Sequence, residues 1–230
     1  MPHDPQLDDW KQLASNVAAK LVEDNMIIGL GTGSTVTYLI HALAQRLKEG
    51  LHLIGAVPTS QATHDLASSL GIPLTTLDIH PTLDLYIDGA DEIDQQLRLI
   101  KGAGGALLRE KIVASVAKRF VVIADATKEV TQLGQRFPVP VETVPLAATP
   151  VRQRLEALGA SVQQRQVAGR VFTTENCNLI LDCSFPHGIT NAEELDEQMH
   201  RIVGVVETGI FLNMAQQAII GGPAGVKILP

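Results

Sequence analysis

Along the first half of the chain, short apolar runs alternate with stretches whose apolar residues recur every three or four positions. Residues 8–23 carry the second spacing and predict an amphipathic helix, with Asp8 or Asp9 available to cap it and Asn25 near its end. The run 26–30 predicts a strand that passes directly into Gly-Thr-Gly-Ser-Thr. Behind it, Val36, Leu39, Ile40, Leu43 and Leu47 lie at helical intervals, and Gly50 closes that helix. A strand over 51–57, a helix over 60–70 and a strand over 83–87 follow. Next come a helix with Leu108, Ile112, Val113, Val116 and Phe120 on one side and a strand over 120–124. Such alternation implies parallel strands joined by right-handed crossovers.

The pattern changes after about residue 130, where Pro138, Pro140, Pro145 and Pro150 punctuate the chain. Thr149–Pro150 reads as a helix start and Gly159 as its stop. The order becomes strand (139–144), helix (150–158), strand (160–166), strand (170–183, turning at 175–178), helix and strand (203–207). Asn191 and Glu194 form a capping box at the second helix. This split βαβ order predicts a small ferredoxin-like α+β domain. The tail from 208 is expected to return to the first domain. The expected division is 1–131 plus 208–230 for a mostly parallel sheet flanked by helices, and 132–207 for the smaller domain. The fold class is α/β.

Composition adds constraints. Aromatic residues are 3% of a chain that is 45% apolar, so the core rests on Leu, Ile, Val and Ala, which suits a buried parallel sheet. Eighteen lysines and arginines against 25 aspartates and glutamates give a net charge of −7, which argues against nucleic acid but not against a small anion met by local amides and lysines. Cys177 and Cys183 have no zinc or redox spacing and read as reduced thiols. MPHDPQLDDW lacks the pattern of a signal peptide, and no run approaches a membrane span, so a cytoplasmic protein is expected.

Three polar, glycine-rich segments follow apolar runs, at 31–35, 88–94 and 101–105. In a parallel sheet these fall at the carboxyl ends of strands, where ligands bind. Gly31-Thr32-Gly33-Ser34-Thr35 joins a strand to a helix, and its glycines, hydroxyls and helix N-terminus suit a phosphate. No Gly-Lys-Ser/Thr makes it a Walker loop. Ser34 breaks the dinucleotide fingerprint, and the next strand ends without an acid, although a dinucleotide site and a plain tight turn both stay open. Asp88-Gly89-Ala90-Asp91-Glu92 sets acids on one turn, where mutual repulsion can leave one protonated near neutrality. A solvated acidic turn is the plainer reading; a divalent site has no histidine cluster or DxDxDG loop to support it. Lys101-Gly102-Ala103-Gly104-Gly105 is a flexible turn opened by a cation. In the helix behind it Glu110 sits near the border of the apolar face and Arg109 within it, calling for a partner or a cleft. The seven histidines (3, 41, 52, 64, 80, 187 and 200) are scattered beside no nucleophile.

GLGTGSTV, DGADEID, KGAGGALLREKIVA and IADATK, in this order and spacing, closely resemble the ribose-5-phosphate isomerase A family. The likeness runs from about residue 8 to GPAGVKIL near the C-terminus. The resemblance implies a Rossmann-like catalytic domain with a small α+β domain, assembled as a homodimer or tetramer. It also implies an isomerase of the pentose phosphate pathway that needs no cofactor and no metal, with a sugar phosphate as its small-molecule partner. Glu110 matches the family's proton acceptor. Thr32, Gly33, Ser34 and Thr35, Asp88, Gly89, Ala90 and Asp91, and Lys101, Gly102, Ala103 and Gly104 match substrate-holding segments. Lys128 matches a further substrate lysine and Lys11 a phosphate-contacting one. On this reading Glu110, Asp88, Asp91 and Lys101 carry the chemistry. A sugar-phosphate sensor without catalysis and a related sugar-phosphate enzyme are the alternatives.

Overall fold

The computed structural model describes residues 5–230, so His3 lies outside the described residues. The chain opens with α1 (Pro5–Ala19), β1 (Ile27–Leu30), α2 (Ser34–Lys48), β2 (Gly55–Pro58), α3 (Gln61–Ser69) and β3 (Leu85–Asp88). Two short strands follow, β4 (Glu92–Ile93) and β5 (Leu99–Ile100), then α4 (Leu107–Ser115) and β6 (Phe120–Asp125). Next come β7 (Val139–Thr143), α5 (Ala148–Ala157), β8 (Ser161–Gln164), β9 (Gln166–Val167), β10 (Arg170–Val171) and β11 (Leu179–Ser184). The chain closes with α6 (Ala192–His200), β12 (Val205–Thr208), β13 (Ile210–Phe211), β14 (Gln217–Gly222) and β15 (Gly225–Leu229).

Two compact units result. One holds the described residues up to Ala90, Arg109–Lys128 and Asn213–Pro230; the other holds Asp91–Leu108 and Glu129–Leu212. The expected division kept 91–108 and 129–131 with the first unit and began the returning tail at 208. Backbone pairing explains the difference: β4 and β5 join β13 in a three-stranded sheet, and the Val130 amide donates to Ile93.

The first unit is a six-stranded sheet in the order β15-β14-β6-β3-β1-β2. All neighbours are parallel except the β14–β15 hairpin. Leu30 pairs with Pro58 and with Ile87, and Asp88 pairs with Val122, so the carboxyl ends of four strands lie along one edge. From β1 the chain crosses to β2 on one side, and β3 then lies on the other. This reversal is where open parallel sheets leave a crevice. Strands β3 and β6 are buried throughout, as expected when helices cover both faces. The core is aliphatic, from Ala14 on α1 through Leu39 and Leu43 on α2 to Ile123 and Ile219 in the sheet. Its aromatic exception is the stack of Tyr86 on Phe120, with ring centroids 4.7 Å apart.

The second unit has an antiparallel sheet in the order β12-β7-β11-β8, over which α5 and α6 supply Val151, Leu155 and Met199 to a separate core. This is the ferredoxin-like arrangement expected from the split βαβ pattern. The Asn191 side chain accepts from the Glu194 amide and donates to the Glu194 carboxylate, completing the capping box.

Several details depart from the sequence reading. Among the described residues helix α1 covers Pro5–Ala19, so Asp8 and Asp9 lie within it rather than at its cap, and it ends before the expected residue 23. Helix α5 begins at Ala148, two residues before the expected start, because a 3₁₀ turn over Pro145–Ala147 runs straight into it. Pro150 still falls among the first-turn amides that lack intrahelical partners. The expected strand over 170–183 divides into β10 and β11, and β10 pairs only with β9. Cys177 and Cys183 are free thiols, and burial pushes the Cys183 thiol up to about 12.

Candidate functional site

In the first unit the loop after β1 and the end of β3 are built around one carboxylate. The Gly31 amide donates to the Ile87 carbonyl at 3.0 Å, which draws the chain alongside β3. Asp88 is fully buried there. One of its oxygens accepts from the amides of Thr32 (3.0 Å) and Gly89 (2.6 Å), and the other from the Tyr86 hydroxyl. A Cβ on Gly31 would fall 1.9 Å from Asp88 Oδ1, so only glycine lets the carboxylate sit against this backbone. Burial first, then the charges of Asp88 and Glu110, raise the Tyr86 phenol well above its ordinary value, which keeps it a donor.

Gly33 caps α2 with φ 123°, a conformation that favours glycine, and no side chain caps the first-turn amides. Gly33 and Ser34 are exposed and Thr35 is half-buried, so the helix N-terminus is open in the way an anion requires. The Thr35 carbonyl accepts from Ser15 Oγ of α1 at 2.9 Å. Lys11 lies one turn before Ser15 on the same helix face, with its ammonium 3.5 Å from Asp8. Thr32 turns its hydroxyl the other way. It meets Thr59 Oγ1 (2.8 Å) and donates to Ser60 Oγ (2.9 Å), while Thr63 Oγ1 donates to the Gly31 carbonyl at 2.7 Å. These hydroxyls anchor the loop to the turn between β2 and α3. Thr32 was expected to face a phosphate, and nothing in the spacing of Thr59, Ser60 and Thr63 marks them as its partners.

Helix α4 carries Glu110 on its inner face. The sequence projection put Glu110 at the border and Arg109 inside; in the structure Glu110 is 3% exposed and Arg109 is half-buried. The buried stripe runs through Leu107, Glu110, Val113 and Ala114, while Ile112 is 44% exposed. Close approach sets this rotation: a Cβ on Gly29 of β1 would lie 2.5 Å from Val113 and 2.6 Å from the Tyr86 ring. Glu110 stands one turn before Val113 on that face. At the end of β6, the buried Asp125 accepts from the Thr127 amide and hydroxyl and so shapes the turn that carries Lys128.

In the second unit Asp91 lies beside the Lys101–Gly105 turn, where the Ala103 amide donates to Asp91 Oδ2 at 2.9 Å. Gly102 is buried and Ala103 and Gly104 are exposed. The Lys101 amide donates to the Gly209 carbonyl, and its ammonium lies 5.4 Å from the centre of the Phe211 ring. At 2% exposure this is a buried cation, and the ring face lowers part of the desolvation cost. The other two acids of DGADEID have structural partners. Glu92 accepts from the amides of Gly134, Arg136 and Phe137, and Asp94 from those of Gln96 and Arg98 and from the Arg98 guanidinium. Of the acidic turn, Asp88 and Asp91 are left as candidates for chemistry. Among the described residues no three His, Cys, Asp or Glu side chains group so as to hold a metal ion.

The first unit thus gathers an open helix N-terminus, a fixed carboxylate and an inward glutamate, and the second an acid beside a turn bearing a buried lysine. These groups suit an anion, hydroxyls and proton transfer. The family model described as ribose 5-phosphate isomerase A (phosphoriboisomerase A) matches residues 55–225. A ribose-5-phosphate isomerase A of Synechococcus sp. (strain JA-3-3Ab) is 52% identical over 225 residues, covering 96% of this chain and 97% of that relative. One of Bacillus mycoides (strain KBAB4) is 50% identical over 94% of this chain and 97% of its own length. A D-ribose-5-phosphate isomerase solved in complex with phospho-erythronic acid superposes with a TM-score of 0.94 at 39% identity, covering 97% of this chain and 98% of that one. The enzyme of Plasmodium falciparum gives 0.93 at 39% identity, over 96% and 98% of the two chains.

Proposed function

The chain belongs to the ribose 5-phosphate isomerase A family, and from that premise we propose how its own residues interconvert D-ribose 5-phosphate and D-ribulose 5-phosphate. The reaction moves one proton between C2 and C1 through an enediolate. A weak carbon acid needs a positioned base and stabilisation of the charge that grows on oxygen.

Glu110 is the base: it takes the C2 proton of the open-chain aldose and returns it to C1. Lys101 stabilises the enediolate oxygens. Asp88 and Asp91 hold sugar hydroxyls, and one of them assists ring opening and proton exchange between the oxygens. The phosphate binds Gly33 to Thr35 at the start of α2, with Lys11 and Lys128 as cationic partners, while Thr32, its amide on Asp88 and its hydroxyl on Ser60, shapes the loop instead of meeting the phosphate. Its remote binding energy fixes the reacting end. Gly89, Ala90, Gly102, Ala103 and Gly104 line the substrate with backbone. The observation that carries the base assignment is the inward rotation of Glu110 on α4, at 3% exposure beside the Tyr86–Asp88 pair.

No helix among the described residues is long and apolar enough to cross a membrane. Cytoplasmic residence and a homodimer complete the proposal, the latter checked by light scattering. The test of function is to treat the purified protein with a chelator, supply ribose 5-phosphate alone and assay the ketose. Ribulose 5-phosphate should form, and Glu110→Gln should lose at least ~10²-fold in kcat with KM nearly unchanged. Near-normal turnover in that variant would remove Glu110 from the role.

A further inference from the structure

The Lys101–Gly105 turn is gripped by an arginine that belongs to none of the four motifs. Arg165 stands just past β8, where its amide donates to the Ile180 carbonyl at 2.9 Å and adds a rung to the β8–β11 ladder. Asp182 pairs with Gln163 across that ladder, so Arg165, two positions on, is its diagonal neighbour on the same face. Arg165 Nε donates to Asp182 Oδ2 at 3.0 Å and Nη2 donates to Oδ1, fork against fork. That pairing fixes the guanidinium plane. The remaining nitrogen, Nη1, donates to the carbonyls of Gly102 (2.6 Å) and Ala103 (3.1 Å). The two side chains are 11% and 20% exposed.

We propose that Arg165, locked by Asp182, is a positioning residue for the isomerisation, setting the Gly102–Ala103 and Ala103–Gly104 peptides of the lysine turn. A trans peptide is planar, with its carbonyl and amide opposed. A cation on the carbonyl side of two successive peptides therefore directs both amides to the opposite side and polarises them as donors. One of those amides, that of Ala103, meets Asp91 Oδ2, so Arg165 also bears on the orientation of an acid assigned to the sugar hydroxyls. The turn needs such a hold. Gly102 and Gly105 have φ of 107° and 81°, and glycines leave many other shapes open to an ungripped backbone. Lysine would supply the charge without a rigid fork able to hold Asp182 and two carbonyls at once. The inference rests on the isomerase reading; Arg165 acts through the turn and not on the substrate.

The test compares wild type, Arg165→Lys, Arg165→Ala and Asp182→Asn with ribose 5-phosphate, at a temperature where circular dichroism shows each folded. Both arginine variants should lose ~10- to 10²-fold in kcat, the scale of a displacement of about 1 Å at a reacting group, with KM within about three-fold. Asp182→Asn should fall between them and wild type. Guanidinium chloride at low concentration should restore part of the lost kcat of Arg165→Ala while leaving wild type unchanged. If Arg165→Ala does not fold, the kcat–KM split of Arg165→Lys decides. Wild-type kcat in the lysine variant, or a loss that follows the unfolded fraction and is not relieved by guanidinium, would overturn the proposal. A wild-type protein that forms no ribulose 5-phosphate would instead overturn the isomerase reading beneath it.

Discussion

The Tyr86 hydroxyl donates to one oxygen of Asp88 while backbone amides hold the other, so a fully buried carboxylate is fixed by three donors from its own unit. Removing one donor leaves a buried acceptor short, which costs roughly 1–3 kcal/mol. Tyr86→Phe should lower unfolding stability by about that much and kcat by roughly ten-fold through loosened geometry. The raised phenol pKa gives the effect a pH signature. The phenol's contribution is complete below its ordinary value of 10.0 and is lost as pH rises through the higher native-state value. Urea titrations of both proteins should therefore converge only above pH 10. A variant with unchanged stability and turnover would show that the hydroxyl does nothing for Asp88.

Gly31→Ala places a methyl group where Asp88 lies, 1.9 Å from Oδ1 and 2.0 Å from Cγ. Since the backbone of the loop cannot give that much, the carboxylate must move. Steady-state kinetics should show a fall of at least ~10²-fold in kcat/KM, because a misplacement near 1 Å costs about that. Activity within a few-fold of wild type would mean the Asp88 position is not critical.

Glu92 lies in the acidic motif but acts structurally, with its carboxylate accepting from three amides of the segment 134–137. In Glu92→Gln the amide group can keep two of those bonds on its oxygen but presents a donor to a donor at Gly134. A loss of about 1–3 kcal/mol is expected, with kcat of the folded fraction nearly unchanged. A selective collapse of kcat without loss of stability would return Glu92 to the chemistry.

His200 in the second unit donates from Nε2 to Glu207 (2.7 Å) and from Nδ1 to the Asp196 carbonyl (2.8 Å). The bond to Glu207 is the chief cause of a pKa raised above the ordinary 6.5. A raised histidine pKa means stability that is complete below pH 6.5 and lost as pH climbs through the native value. With 38% of the side chain exposed, solvent screens much of the effect. The gap in urea midpoint between wild type and His200→Gln should shrink from pH 6 to pH 8. A gap that widens over that range would contradict the assigned charge state.

Much of this architecture could be read from local pattern. The βα alternation, the capping box at Asn191 and the placement of 31–35 and of Asp88 at the ends of parallel strands follow from hydrophobic period and turn chemistry; the segment 101–105 was expected at the same edge but follows β5, an antiparallel strand of the three-stranded sheet. What escaped is set by distant packing. Glu110 faces inward because Val113 settles over Gly29, a contact between residues 84 positions apart that the helical projection of one segment does not contain. The sorting of DGADEID into two chemical and two structural acids likewise depends on which distant amides reach Glu92 and Asp94. The hold on the lysine turn comes from Arg165, 64 positions beyond Lys101, whose own neighbours Gln164 and Gln166 give it no motif. Tyr86 and Asp125 lie inside segments that the sequence reading picked out, yet nothing there marks the bonds they make to Asp88 and Thr127.

The loop after β1 is moored by Thr32, Thr59, Ser60 and Thr63, with the carbonyls of Leu30 and Gly31 taking the remaining protons. Hydroxyls and carbonyls neither gain nor lose charge anywhere between mild acid and mild base, and dissolved ions hardly weaken bonds among uncharged groups. The hydroxyl side of the mooring is thus blind to buffer and ionic strength, whereas a phosphate captured by lysines is not. Any acid–base profile recorded for turnover should report the reacting carboxylates and the sugar phosphate itself, with the hydroxyl-held side of the receiving loop constant beneath them.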